Sequence, residues 1–120
     1  MTMTLTFTPE LARERAARGA AFLDAYDPDW YTAIDRNTLD MADGVLCILG
    51  QLRGEYYMGE IWIRDMEERT GTLSIDTDAE HLGFVVLSNA GGALQGPITE
   101  AYAMLQCAWL EILSERETPQ

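Results

Sequence analysis

Between Asp43 and Gly54 the chain carries Val45, Leu46, Cys47, Ile48, Leu49 and Leu52, with Gly50 and Gln51 among them. At helical spacing, Val45, Ile48, Leu49 and Leu52 form one stripe, and Leu46 and Cys47 widen it until the circumference is apolar nearly all round. A helix without a polar face belongs at the centre of a fold, so the rest of the chain has to be arranged around it. Asp43 is placed to cap its start and Gly54 to stop it. Gln51 is the polar residue inside this segment. A buried amide left without partners costs roughly 1–3 kcal/mol, so Gln51 is expected to bond the backbone of residues 35–43 and fix how that connection crosses the helix. A ligand contact is the alternative role.

The neighbouring segments supply the surroundings. Met1, Met3, Leu5 and Phe7 alternate with four Thr residues, a period of two that predicts a strand over residues 2–7. Thr8 then reads as an N-cap with Pro9 in the first turn, and Ala12, Ala16, Gly19, Leu23 and Tyr26 predict a helix over residues 9–25. Glu14 and Arg18 stand four apart on its outer side. Asp27-Pro28 ends it, because the residue before proline is pushed out of helical geometry. Asp27 is read as capping a short turn whose Trp30 plugs the core. Ile34, Leu39 and Met41 pin an irregular connection.

Residues 55–69 fit a helix with Tyr56, Gly59, Ile63 and Met66 inward, or a strand with Ile61 and Ile63 on one face and Trp62 on the other. Their length and the following Thr70-Gly71 favour helix. Residues 73–75 are read as extended. Thr77 and Glu80 fit a capping box, and Gly83 closes a turn. Residues 84–87 are expected to form a strand paired with residues 2–7. Residues 88–96, with three Gly, read as a loop. Pro97 opens a last helix in which Ile98, Tyr102, Leu105, Trp109 and Ile112 make the clearest amphipathic stripe of the chain, and beyond Glu115 the tail should fray.

The expected fold is therefore mainly α (α+β). It is a small helical domain with a central apolar helix, a long C-terminal amphipathic helix and a small β element pairing about 2–7 with 84–87. At 120 residues with three Trp, five Tyr and three Phe the chain can bury one ordinary core, and one domain over residues 1–120 is expected. Leu23, Trp30, Leu39, Ile48, Leu49, Leu52, Phe84, Leu105, Trp109 and Ile112 are the predicted core, with Gln51, Trp30 and Trp109 as structural residues.

Several of these pieces occur together elsewhere: Phe22-Leu23-Asp24, Pro28 and Trp30, Ile34-Asp35, Leu39-Asp40-Met41, then Cys47-Ile48-Leu49-Gly50-Gln51 with Gly54 and Tyr56, Leu82-Gly83-Phe84, Thr99 and Ala108-Trp109. In these the chain resembles a family of small uncharacterised proteins of actinobacteria and their phages. The Cys-apolar-Leu-Gly-Gln segment is the most specific of them, whereas residues 57–76 and the glycine loop match poorly. The resemblance implies a small accessory protein of phage or prophage origin and brings no catalytic residues with it.

Charge narrows the function classes. Twenty Asp and Glu face eight basic residues, all Arg, for a net charge of −12. Binding to nucleic acid runs through Lys and Arg on phosphates, so direct nucleic-acid binding is not expected. The longest apolar run, residues 45–49, falls far short of the roughly 18 residues of a membrane span, and the N-terminus lacks a signal-peptide pattern. A cytoplasmic protein with no membrane association is expected, and Cys47 and Cys107, both in apolar helical patterns, are read as free buried thiols.

No catalytic constellation, metal site or cofactor motif emerges. The acids at 76, 78 and 80 start like a calcium loop, but His81 occupies the glycine position and Leu87 the bidentate position. His81, the sole histidine, could serve a cysteine nucleophile, yet thiols within apolar helices are usually packing residues. Gly91, Gly92 and Gly96 before a helix lack the Lys and hydroxyl of a phosphate loop. Residues 54–100 do hold nine acids against two Arg, a local balance of −7. Tyr57, Trp62, Asp65 and Glu68 are accordingly the candidate binding residues, an acidic surface with aromatic anchors for a basic host protein. DNA mimicry is a special case of this reading. Self-association as a homodimer through the N-terminal strand, or a small hydrolase or transferase activity, are the alternatives.

Overall fold

Residues 4–70, 82–86, 93–95 and 97–117 are described by a computed structural model. Their order is β1 (Thr4–Thr6), α1 (Pro9–Tyr26), a 3-10 turn (Trp30–Ala33), α2 (Ile48–Arg53), α3 (Tyr56–Thr70), β2 (Ala93–Gln95) and α4 (Ile98–Glu117). Helix dominates, and α1 lies along α4 while α2 packs on α3 and on the 3-10 turn.

α1 begins as its sequence requires. Thr8 is extended and its Oγ1 accepts the Leu11 amide at 3.1 Å, which satisfies one of the free donors of the first turn. Glu14 and Arg18 form their surface pair at 2.7 Å. The buried side carries Ala12, Ala16, Gly19, Ala20, Phe22 and Leu23. Those small residues let a neighbouring backbone come close: a Cβ on Gly19 would stand 2.9 Å from Trp109 Cζ2 and nearer still to the Leu82 carbonyl oxygen. Asp27 stops α1, its amide donating to Leu23 O at 2.7 Å.

The core is aromatic at its centre. Trp109 of α4 stacks on Phe84 with centroids 5.5 Å apart and meets Trp30 edge to face at 5.7 Å. Its Nε1 donates to Gly83 O at 2.6 Å, so the only polar atom of the indole is satisfied inside. Trp30, 1% exposed, donates its own Nε1 to Asp24 Oδ1 at 3.0 Å. Gly83 must be glycine twice over, with φ +74° and a would-be Cβ 2.7 Å from the Ala16 amide nitrogen.

Five expectations are corrected. The central helix is shorter than its apolar run. Asp43 Oδ1 accepts the amides of Val45 (2.7 Å) and Leu46 (3.1 Å), so residues 43–46 form a turn, and Val45 is 58% exposed. Asp43 thus caps one isolated turn, closed by the Cys47 amide on Asp43 O at 3.0 Å, and the ladder breaks after it because Leu46 O is taken by the Asp40 amide at 3.2 Å and by Gln51 Nε2 at 2.9 Å. The cap of α2 is instead Cys47, whose Sγ accepts the Gly50 amide at 3.3 Å.

Among the described residues, the expected pairing of residues 2–7 with 84–87 is not found. Residues 82–86 form turns and bends, with Phe84 and Val86 driven into the core and Arg15 Nη1 donating to Val86 O at 3.4 Å. Thr4–Thr6 pairs in parallel with Ala93–Gln95, Leu5 opposite Leu94. Asp27 does not cap the turn at Trp30 with its side chain: its backbone oxygen accepts the Trp30 amide at 2.9 Å, and its carboxylate pairs with Arg53 at 3.3 Å.

The buried side of α4 is rotated from the predicted stripe. Ala101, Leu105, Ala108, Trp109 and Leu113 are buried, whereas Ile98 is exposed and Ile112 only partly covered. Small Ala101 and Ala108 on the buried side suit close packing, and α4 does pack along α1. The same rotation leaves Cys107 exposed, while Cys47 is buried. Of the predicted core, Leu23, Trp30, Leu39, Ile48, Leu49, Phe84, Leu105 and Trp109 are buried, and Leu52 and Ile112 pack at its edge.

Candidate functional site

α3 holds the candidate binding residues, and its sequence explains how it is seated. Gly54, at φ +96°, turns the chain out of α2, and the Tyr56 amide donates to Gly44 O at 2.6 Å. Gly59 faces inward because a Cβ there would lie 2.6 Å from Leu49 Cβ, and Ile63, 2% exposed, follows one turn on. Tyr56 and Met66 complete this partly buried side. Burial and the Glu60 carboxylate, which accepts the Tyr56 hydroxyl at 2.8 Å, both push the phenol of Tyr56 well above its ordinary value.

The opposite arc faces solvent. Tyr57 is 62%, Met58 48% and Ile61 44% exposed. At 100° per residue these three positions share one side of the helix with Asp65 and Glu68. Glu68 is exposed, and Asp65 is half-buried and paired with Arg69 at 3.2 Å. Glu60 pairs likewise with Arg64 at 3.7 Å. The face is thus mixed in sign with an excess of acid, rather than an unbroken row of carboxylates.

Trp62 stands apart from this arc. Its ring meets Phe22 edge to face at 5.6 Å, and the Arg53 guanidinium lies over it, 4.0 Å from the centroid. It bridges α1 and the end of α2, a packing position on the shoulder of α3. Tyr57, Asp65 and Glu68 are therefore brought to one side and Trp62 to another. Met58 and Ile61 are the members of the exposed arc that the sequence reading did not single out. The signal was present, because a stripe of Tyr56, Gly59, Ile63 and Met66 turned inward leaves 57, 58 and 61 outward.

The amides act as clamps. Gln51 Oε1 accepts the Asp35 amide at 2.6 Å, and its Nε2 donates to Asp35 O at 3.2 Å and Leu46 O at 2.9 Å. Both N–H groups and the carbonyl are engaged by backbone. Gln106 of α4 does the same at the other end of the connection, accepting the Met41 amide at 3.1 Å and donating to Leu39 O at 2.9 Å. Gln106 was not legible as a clamp because it sits on the polar flank of its helix.

Other candidates have defined positions. Burial pushes the Cys47 thiol up, and its sulfur is occupied as a helix cap, so it is held in its unreactive thiol form. His81, the acids at 76–80, and Gly91, Gly92 and Gly96 lie outside the described residues. Among the described residues no group of three or more His, Cys, Asp or Glu is arranged to hold a metal ion. No helix among them is long and apolar enough to cross a membrane. An open depression of about 470 Å³ is lined by Ile34, Asp35, Arg36, Asn37 and Leu110. Its polar groups are turned to their own chain, with Arg36 donating to Ser114 at 2.8 Å and the Asp35 carboxylate accepting the Asn37 amide at 3.0 Å. No family model, curated protein or solved structure matches the chain.

Proposed function

We propose that this chain is a non-enzymatic, cytoplasmic interaction protein of an actinobacterium or its phage, which binds and modulates a host protein through its acidic surface. The observation that carries the reading is the outer arc of α3, where Tyr57, Met58 and Ile61 are 62%, 48% and 44% exposed on one turn and a half of helix. Single exposed apolar residues are ordinary; three adjacent ones rimmed by charge are the composition of a protein contact. Tyr57 is the anchor of the arc, since a tyrosine offers a large apolar area and a polar tip at little entropic cost.

Capture from an actinobacterial lysate on the immobilised protein tests this, with Tyr57→Ala and Ile61→Glu variants run beside it. The expected result is a specific host protein retained by the native chain, released at about 1 M salt, where the screening length is about 3 Å, and lost with either variant. Capture that both variants retain in full, or no captured protein, would remove the arc as the binding surface.

A further inference from the structure

We infer that residues 35–46 form a strap that opens as one body while the helices stay folded, latched to α2 by Gln51 and to α4 by Gln106, and that its release also loosens the first turn of α3. The segment shapes itself. The Asp35 carboxylate accepts the Asn37 amide at 3.0 Å, Asp40 accepts Ala42 at 3.1 Å and Asp43 accepts Val45 at 2.7 Å, so each acid closes the turn that follows it. Backbone bonds then join those turns, with the amides of Thr38, Asp43 and Asp40 donating to Asp35 O, Asp40 O and Leu46 O at 3.3, 3.0 and 3.2 Å. None of these bonds involves a helix, and all of them survive if the segment moves as a unit.

Its hold on the rest of the molecule is mostly polar. Gln51 grips both ends, accepting the Asp35 amide at 2.6 Å and donating to Asp35 O and Leu46 O at 3.2 and 2.9 Å. Gln106 grips the stretch between them, donating to Leu39 O at 2.9 Å and accepting the Met41 amide at 3.1 Å. Arg36 adds a surface tie to Ser114 at 2.8 Å, and Gly44 O takes the Tyr56 amide of α3 at 2.6 Å. Within the strap only Leu39 and Met41 are buried, at 4% and 3% exposed. A segment with little buried apolar surface and an exposed backbone opens at a lower free energy than the whole fold. Because α2 packs on α3 and α4 on α1, the two latches sit on different helix pairs, and the internally bonded strap passes the loss of one to the other. The inference stands whether or not the outer arc of α3 binds a partner.

Native-state hydrogen–deuterium exchange of the full chain, read by NMR, tests this at the amides of Asp35, Met41 and Tyr56, with Leu23 in α1 and Leu105 in α4 reporting global unfolding. In the native protein the three amides should share one protection factor to within about threefold, and should be protected less than Leu23 and Leu105 by at least about tenfold. Gln106→Ala should speed Asp35 and Tyr56, neither of which Gln106 touches, by about tenfold. Gln51→Ala should speed Met41 by the same factor, and Leu23 and Leu105 should remain the slower pair in both variants. A larger spread among the three amides, a smaller gap to Leu23 and Leu105, or an Asp35 rate unmoved by Gln106→Ala would overturn the inference. Should either variant fail to fold, the spread and the gap in the native protein decide it.

Discussion

Gly19→Ala separates helical propensity from packing at one position. Gly19 lies inside α1, where alanine is favoured over glycine by about 1 kcal/mol, so propensity alone makes the substitution stabilising. The structure reverses the sign. A Cβ at this position would stand 2.9 Å from Trp109 Cζ2 and 3.0 Å from Cη2, with the Leu82 carbonyl oxygen nearer still, whereas carbon contacts settle at about 3.5–4.0 Å. Trp109 cannot step aside, because its Nε1 is bonded to Gly83 O at 2.6 Å, its face is stacked on Phe84 and its edge meets Trp30. Relief requires the backbone of residues 82–84 to lift from α1. Overpacking of this kind costs about 1–3 kcal/mol, and loosening the indole hydrogen bond adds about 1 kcal/mol. After subtracting the propensity gain of about 1 kcal/mol, the net loss is about 1–3 kcal/mol. Urea unfolding followed by tryptophan emission measures it, with Ala17→Gly on the exposed side of α1 as the reference, expected to lose about 1 kcal/mol by propensity alone. A Gly19→Ala midpoint at or above that of the native protein would refute the close approach of residues 82–84 to α1.

Three further outcomes follow from the polar contacts. Arg116, donating to both oxygens of Asp24 at 2.6 and 2.7 Å, holds that carboxyl below its ordinary 3.8, aided by the Trp30 indole and opposed by burial. A depressed folded value means that the stabilisation is complete above the unfolded value and fades as pH falls through the folded one. The unfolding midpoints of native protein and Asp24→Asn should therefore differ most at neutral pH and converge below about pH 3.8; a constant gap down to pH about 2.5 would contradict the ion pair as its cause. Gln51→Glu keeps the acceptor for the Asp35 amide but sets an oxygen against Asp35 O and Leu46 O, so at neutral pH it should cost about 2 kcal/mol in thermal or urea unfolding. An unchanged midpoint would show that the amide clamps nothing. In thiol titration with an aromatic disulfide reagent, Cys107 should react in the native protein and Cys47 only on unfolding, and two fast thiols would contradict the buried cap.

The parts of the fold that were legible in the sequence are those set by neighbours along the chain. Thr8-Pro9 and Asp27-Pro28 bracket α1 because capping and proline sterics act over a few residues. α3 was legible as a helix through its length and its inward stripe. Gln51 was legible as a clamp because a polar group in an apolar segment has few ways to be satisfied. The candidate surface was partly legible: Tyr57, Asp65 and Glu68 do share the outer arc, but Trp62, offered as its second aromatic, is covered by Phe22 and Arg53. That difference depends on where α1 ends relative to α3, which no periodicity encodes.

What the sequence determined by itself was a mainly helical chain, the bounds of α1, most of the residues that fill its core, and a net charge of −12. The tertiary structure decided the rest. It selected which arc of α4 is buried, the one that carries Ala101, Leu105, Ala108, Trp109 and Leu113, and left Ile98 exposed and Ile112 partly covered. It took residues 84–86 out of a predicted strand, set the Leu82 carbonyl against Gly19, and paired Thr4–Thr6 with Ala93–Gln95, nearly ninety residues away. It started α2 only after Cys47, because Leu46 O is taken by the Asp40 amide and by Gln51 Nε2 and not by the next turn of helix. The physical reason is common to all four: local propensities differ by about 1 kcal/mol or less per residue, whereas burying one large apolar side chain contributes about 1.5–3 kcal/mol and depends on which distant elements meet.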